Sequence, residues 1–253
     1  MKYSIIGVLI ASLFTTGCAI FEPAKPVSLD QLKYLKKISV ISVAADKFDR
    51  QYVGLTVFNN ELESLNTKSF GLNEEYESQL GAAVEVVLGA KYQKVPYSRD
   101  KIMMIYKKSS LFDTHYDSVY PSMINDEIGH VCRGNGLDGV FVLFKQKFLD
   151  PISGTNQSIE GAGYYTRFSA SYLHLIFGVA LFDCATAKPV AIGTLEGDQP
   201  GKKLNIRPVS KDLALKPLKQ WTEKDIDMTR SLLISAPKAF WGGTLKRMYP
   251  YKD

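Results

Sequence analysis

The sequence predicts a single α/β domain with a mixed β-sheet and about three helices, preceded by an export signal and a short tether. Hydrophobic residues make up 45% and charged residues 23% of the 253 residues, which is ordinary for a globular protein. Strand and helix patterns alternate in the first half, and the second half is rich in strand patterns. We therefore divide the chain into a signal at residues 1–17, a tether at 18–34 and one domain at 35–253.

The first half of the domain carries strands that are apolar on both faces, as buried strands are, and helices with one apolar stripe. Asn73 is a suitable N-cap for the first helix, which Gly89 ends, and Gly134 and Gly136 end the second. The predicted elements are a strand at 38–46 (ISVISVAAD), a strand at 52–58 (YVGLTVF) with Val53, Leu55 and Val57 on one face, a helix at 73–88, a strand around 101–106 (KIMMIY), a helix from Pro121 and Ser122, and a strand at 139–144 (GVFVLF).

The second half begins with a loop at 150–163 that contains Gly, Ser and Pro. From Tyr172 to Leu181 every second residue is large and apolar, which predicts a long strand. A turn at 183–188 leads to a return strand at 190–195. Thr222 and Asp225 fit a capping box for a last helix, which Pro237 should end or kink.

The start of the chain has the layout of an export signal. Lys2 precedes an uncharged run of about ten residues from Ile5 to Phe14, against the ~20 needed to span a bilayer. Small residues and then Cys18 follow, an order that resembles the lipobox of bacterial lipoproteins, although Thr15 stands where that family most often has Leu. The resemblance implies cleavage before Cys18 and its acylation. The alternative is an ordinary secretory signal in which Cys18 is incidental.

The residue after the cysteine bears on location. Ala19 stands where an Asp tends to retain lipoproteins of this family in the inner membrane, so the resemblance implies an outer-membrane anchor on a periplasm-facing protein. The expected partners are the membrane, through the lipid, and an envelope protein. Lysines occur as scattered pairs rather than as one basic tract, so we expect no nucleic-acid partner. The oligomeric state is left open.

Two cysteines remain after Cys18. Cys132 and Cys184 form an even pair in a chain expected to be exported to an oxidising compartment, which makes them a disulfide candidate. Two separate buried thiols are the alternative, because buried cysteine also behaves as a small apolar residue.

The nucleotide-like motifs do not predict a cofactor. Gly134 to Gly139 matches G-x-G-x-x-G, but these glycines follow a helix and open a strand, the reverse of a dinucleotide site. Gly197 to Lys203 looks like a shortened phosphate loop, with a proline where inward-pointing amides are needed. We therefore expect no cofactor.

Metal and catalytic motifs are not evident either. His115, His130 and His174 show no i, i+4 spacing, so no helical zinc motif is present, and no nucleophile elbow occurs. We predict no metal ligand and no catalytic residue. Asp46 and His174 are retained as a pair that could meet in a cleft. A different hypothesis concerns Tyr164, Tyr165 and Phe168, which could line a binding edge beside the predicted loop.

The order of the elements is similar to that of the curli-secretion lipoprotein family and of TolB amino-terminal domains. The turn Asp183 to Lys188 (DCATAK) resembles the D-x-x-T-G-K hairpin of such domains, with Ala187 where Gly is usual. The favoured function is a non-catalytic envelope lipoprotein that binds or assembles another envelope component. The alternatives are a lipid-anchored hydrolase of an envelope substrate and, by the curli resemblance, a secretion-channel subunit.

Overall fold

The computed structural model describes residues 25–108, 122–150, 152–195 and 205–251, and these form one mixed α/β domain, as predicted. The signal, Cys18, His115, Pro121 and residues 197–203 lie outside the described residues. The strands are β1 (Lys37–Ser42), β2 (Lys47–Val53), β3 (Glu61–Asn66), β4 (Lys91–Tyr92), β5 (Gly139–Lys145), β6 (Lys147–Leu149), β7 (Ser158–Arg167), β8 (Ala170–Asp183), β9 (Lys188–Thr194), β10 (Asn205–Pro208) and β11 (Tyr249–Pro250). The helices are α1 (Leu72–Leu88), α2 (Arg99–Lys108), α3 (Ser122–Asn135), α4 (Lys211–Leu215), α5 (Glu223–Ser235) and α6 (Trp241–Lys246).

The sheet has two parts that share the long strand β8. In the first part the order is β4-β1-β5-β8-β9-β11, with β1 parallel to β4 and β5. In the second part the order is β3-β2-β7-β8-β10, with β2 parallel to β7. Residues 43–46 carry the chain from β1 directly into β2, so the first part leads straight into the second.

One face of both parts packs against α1, α5 and α6 and forms the largest apolar cluster. Tyr76 of α1 lies at its centre, with its ring 5.6 Å from that of Phe177 and 6.1 Å from that of Trp241. The opposite face of the first part packs against α2 and α3. The opposite face of the second part carries only a small buried cluster, namely Val53, Ile159, Tyr165 and Ile176. The apolar strands β1, β5 and β8 are buried on both faces because helices or loops cover both.

The prediction of a strand at 52–58 is wrong. Strand β2 begins earlier, at Lys47, and ends at Val53, and the following residues turn back into β3. Leu55 and Phe58, which the pattern placed within this strand, are almost fully exposed. The polar strand β3 (ELESLN) was not predicted. It is an edge strand next to β2, and its sequence has no apolar face from which a strand could be recognised.

The prediction of a strand at 101–106 is also wrong, since these residues belong to α2. Ile102 and Met103 are buried against α3 and the sheet, whereas Met104 is half exposed. A short apolar run does not distinguish a buried strand from one face of a helix. In α2 two consecutive residues are buried and the next is exposed, which fits one face of a helix and not the alternation of a strand.

Two boundaries need correction. The predicted loop at 150–163 is shorter, because β7 begins at Ser158. Helix α1 starts one residue before Asn73, with Gly71 as its N-cap. The predicted end of the last helix near Pro237 is confirmed, since α5 ends at Ser235, but the chain then continues into α6 and β11, which were not predicted. The end of α1 at Gly89 and the capping box of Thr222 with Asp225 at the start of α5 are confirmed.

Candidate functional site

Two loops meet at the far end of the second part of the sheet. The parallel register pairs Val53 with Arg167, so the residues that follow each of them project from the same end. Their large apolar side chains face water: Leu55 is 85%, Phe58 93% and Phe168 60% exposed. We call Leu55, Phe58 and Phe168 the apolar tip. Exposed apolar side chains that lie close together mark interaction sites more often than scattered ones do.

The loop from Gly54 to Asn60 closes on itself. The Gly54 amide donates to Asn60 Oδ1 at 3.1 Å, the Asn59 amide donates to the Thr56 carbonyl at 3.0 Å, and the Thr56 hydroxyl donates to Asn59 Oδ1 at 2.6 Å. A Cβ at residue 54 would lie 2.4 Å from that of Asn59, so this turn requires glycine. The loop therefore holds its shape while Leu55 and Phe58 extend away from the body.

Phe168 occupies a backbone position that rarely suits a phenylalanine. It lies in the two-residue turn between Arg167 and Ala170, with φ of +54°, where Gly, Asn or Asp is usual. The Arg167 guanidinium lies 4.7 Å from the centroid of the Phe168 ring and donates to the Ser153 carbonyl at 2.9 Å. The ring is thus held outward by a cation–π contact, without burial in the core.

The two loops carry little charge of their own. Residues 51–60 contain no charged side chain, and Arg167 is the one charged residue in the β7–β8 turn. Glu61, next along the chain, pairs with Arg50 at 2.9 Å. The two loops can therefore leave water without desolvating an acidic side chain of their own.

Asp46 and His174, retained as a possible pair, have different partners. Asp46 Oδ1 lies 2.9 Å from Lys145 Nζ. The buried His174 ring places Nδ1 3.1 Å from the Gly161 carbonyl. Burial lowers the pKa of His174 to about 4, although the Gly161 carbonyl and the nearby Asp49 act in the opposite direction. The imidazole is therefore neutral at neutral pH and fills a structural position.

A second buried polar group lies at the carboxyl end of β1. Glu77 of α1 accepts hydrogen bonds from the Ser42 amide at 3.0 Å, from Arg99 Nη2 at 2.8 Å and from the Tyr97 hydroxyl. Arg99 Nε also donates to the Ser42 carbonyl at 3.1 Å. Strand β4 pairs with only the first two residues of β1. Beyond that pairing, the side chains of Glu77 and Arg99 provide the hydrogen-bond partners for the backbone of Ser42. We assign this cluster to the fold.

The predicted binding edge at residues 164, 165 and 168 divides into two groups. Tyr164 and Tyr165 are buried, the first with its hydroxyl 3.1 Å from Thr229 Oγ1 and the second donating to Asp150 Oδ2 at 2.6 Å. Only Phe168 of the three faces water. The part of this site that sequence reasoning missed is Leu55 and Phe58, whose signal was the flanking Gly54 and the adjacent asparagines 59 and 60.

Cys132 of α3 and Cys184 of the turn after β8 form a disulfide, with 5.4 Å between their Cα atoms. Nearby, Gly136 adopts φ of +58° and turns the chain from α3 into β5, as expected, whereas Gly134, also predicted to end this helix, lies within α3. Across the described segments, no cluster of three His, Cys, Asp or Glu side chains is placed to hold a metal ion. Among the helices that the structure describes, none is long and apolar enough to cross a membrane.

No protein-family model matches the chain, and no curated protein matches it. Among solved structures, the chain is similar to the PelC L103M dodecamer from Paraburkholderia phytofirmans. The two are 10% identical, the match covers 89% of this chain and 94% of that chain, and the TM-score is 0.34. A TM-score of this size does not establish a common fold, so we transfer no property of that protein.

Proposed function

We propose that this chain is a lipoprotein anchored to the outer membrane through Cys18, facing the periplasm, with a non-catalytic role in binding or assembling an envelope component. Within that role, the apolar tip is the contact surface. The single observation that carries the proposal is the near-complete exposure of Leu55 and Phe58 on a loop that holds its own shape.

The energetic reason is simple. Fully burying one large apolar side chain is worth about 1.5–3 kcal/mol relative to leaving it in water. The apolar tip keeps three such side chains out of the core. That free energy does not stabilise the isolated body and is available to a partner that covers the tip.

The anchor is supported by the sequence around Cys18. The apolar run from Ile5 to Phe14, the small residues and the cysteine occur in the order of a lipoprotein signal, and Ala19 favours the outer membrane over the inner. Several acyl chains on one cysteine hold a protein to a bilayer stably, because each buried methylene adds ~0.8 kcal/mol. A spanning segment in the body is then unnecessary.

The test places a photo-crosslinking phenylalanine analogue at position 58 of the full-length chain in intact cells. Val86 on α1 is the matched control, because it is 86% exposed but lies outside the tip. We expect the analogue at position 58 to form a crosslinked adduct with an envelope component, and the analogue at position 86 to form much less of it. The protein should be recovered in the outer-membrane fraction. Replacing Cys18 by Ser should release the protein from that fraction. Equal crosslinking at both positions, or unchanged fractionation of Cys18→Ser, would contradict the proposal.

A further inference from the structure

We infer that the envelope component contacted by the apolar tip is the phospholipid bilayer itself, so that the protein touches the membrane at its lipidated cysteine and again at Leu55, Phe58 and Phe168. This inference rests on the proposed function, in which Cys18 holds the body beside a membrane.

The exposure of the tip favours a bilayer over a protein surface. A side chain that is 93% exposed, as Phe58 is, has almost no neighbouring protein around it and therefore projects beyond the body. Stable protein interfaces bury about 800 Å² on each partner and place their anchor residues within a ring of packed neighbours. Three projecting side chains on two turns are too few for such an interface, whereas they suit shallow insertion among lipid headgroups and acyl chains.

The polar groups of the loop also permit insertion. The Gly54 amide, the Asn59 amide and the Thr56 hydroxyl already donate within the loop, so fewer hydrogen bonds to water are lost at the interface. The ten residues from 51 to 60 carry no charge that would have to be desolvated.

Arg167 is a cation that lies next to the apolar tip. Its guanidinium stacks on Phe168 and is tied to the Ser153 carbonyl, so it lies on the body side of the aromatic ring. A long basic side chain at that depth reaches lipid phosphates while its neighbour enters the apolar layer.

The tether limits how the body can lie. Cys18 precedes Val27 by nine residues, which span at most about 30 Å. The Val27 amide bonds to the Met248 carbonyl, one residue before β11. Through β9, β11 lies level with Ala180 of β8, ten residues from Ala170 beside the tip, or about 33 Å along the strand. Both contacts can therefore reach one bilayer, with the sheet tilted towards its surface.

The experiment uses the full-length lipidated protein in vesicles of phosphatidylethanolamine and phosphatidylglycerol. Leu55→Cys is labelled with an environment-sensitive fluorophore, and Val86→Cys is the control. With Cys18 acylated and Cys132 bonded to Cys184, the introduced thiol is the one that reacts. Lipids carrying nitroxides in their acyl chains should quench the probe at 55 about threefold more than the probe at 86, as expected for shallow insertion.

A second variant separates the tip from the anchor. Phe58→Asp combined with Phe168→Asp should lower the quenching at 55 to the level at 86 while the protein stays on the vesicles through its lipid. Equal quenching at 55 and 86 in the parent would overturn the inference. So would a blue-shifted probe at 55 that nitroxide lipids do not quench, because that result indicates contact with a second copy. Cys18→Ser tests the anchor separately. Loss of vesicle binding in that variant supports the anchor, whereas the quenching at 55 and 86 is compared in lipidated protein and tests the apolar tip.

Discussion

The imidazole of His174 lies directly against Gly163, where an added Cβ would fall 2.5 Å from His174 Nε2 and 2.3 Å from the Asp49 backbone oxygen. The two residues are register partners on β8 and β7, and Asp49 is the partner of Gly163 on β2. Glycine is therefore needed at 163, because the His174 ring and the Asp49 backbone occupy the space that a side chain would fill. The absence of a side chain lets β2, β7 and β8 pair at this position.

Replacing Gly163 with Ala should destabilise the protein by about 1–3 kcal/mol, because the backbone oxygen on the other side of the contact cannot move independently of β2. Urea unfolding followed by circular dichroism measures the change. Gly134→Ala is the control, since nothing lies within 4 Å of the added methyl and the residue is in α3. That variant should be neutral or up to about 1 kcal/mol more stable. Equal losses in the two variants would contradict the packing described at residue 163.

The buried His174 should make stability depend on pH. Its pKa falls from the ordinary 6.5 to about 4 because burial disfavours the charged ring. Between these values the unfolded chain binds the proton and the folded protein does not, so stability is fully present above pH 6.5 and is lost as the pH falls towards 4. The loss over this window is roughly 3 kcal/mol at most, since one pKa unit is ~1.4 kcal/mol.

The comparison that isolates this effect is the difference in unfolding free energy between pH 7 and pH 5 for the parent, His174→Gln and His130→Gln. His130 is exposed and serves as the control. His174→Gln should flatten the dependence on pH even if it is less stable at every pH. A parent and a His174→Gln variant with the same slope would show that another group causes the acid sensitivity.

Much of the fold follows from the sequence because apolar pattern reports burial. Strands β1 and β5 are predicted from runs that are apolar on both faces, and β8 from large apolar residues at every second position. In the structure both faces of all three strands are buried. The same pattern gave a wrong prediction at Leu55 and Phe58, where apolar residues indicated a strand but project into water. Hydrophobicity predicts burial only when the core supplies the partner, and it cannot distinguish that case from an exposed contact surface. Phe168 was among the predicted binding residues, but its left-handed backbone was visible only in the structure.

Glu77 should contribute more to stability than Glu74, although both carboxylates contact Arg99. Glu77 is almost completely buried and also accepts from the Ser42 amide, whereas the side chain of Glu74 is 46% exposed. Glu77→Gln should cost about 1–3 kcal/mol, a range that allows for the partial exposure of Arg99 to water. Glu74→Gln should cost less than about 1 kcal/mol. Chemical denaturation of the two variants gives the answer, and a larger loss in Glu74→Gln would overturn the assignment of the cluster to the β1 edge.

The disulfide predicts a characteristic set of mutant stabilities. Cys132 and Cys184 are 52 residues apart in sequence, so the bond should stabilise the fold by about 2–4 kcal/mol through the restricted unfolded chain. Each single Cys→Ala variant should lose a similar amount, and the double variant should lose little more than either. Denatured, non-reduced protein should expose no free thiol from this pair. Two titratable thiols, or additive losses, would return the residues to the alternative of independent buried cysteines.

The last prediction separates stability from contact at Phe168. Replacing Phe168 with Asn places a residue that tolerates φ of +54° in the turn, which relieves about 1 kcal/mol of backbone strain. The change also removes the stacking of Arg167, worth about 0.5–1 kcal/mol at an exposed site. The unfolding free energy should therefore stay within about 0.5 kcal/mol of the parent, although a large aromatic ring has been deleted. Phe48→Ala is the contrasting variant, because Phe48 is fully buried and packs 4.9 Å from the Tyr164 ring, and it should cost about 3–5 kcal/mol. A loss of several kcal/mol in Phe168→Asn would mean that the ring stabilises the body after all, and the apolar tip would then lose its most unusual member.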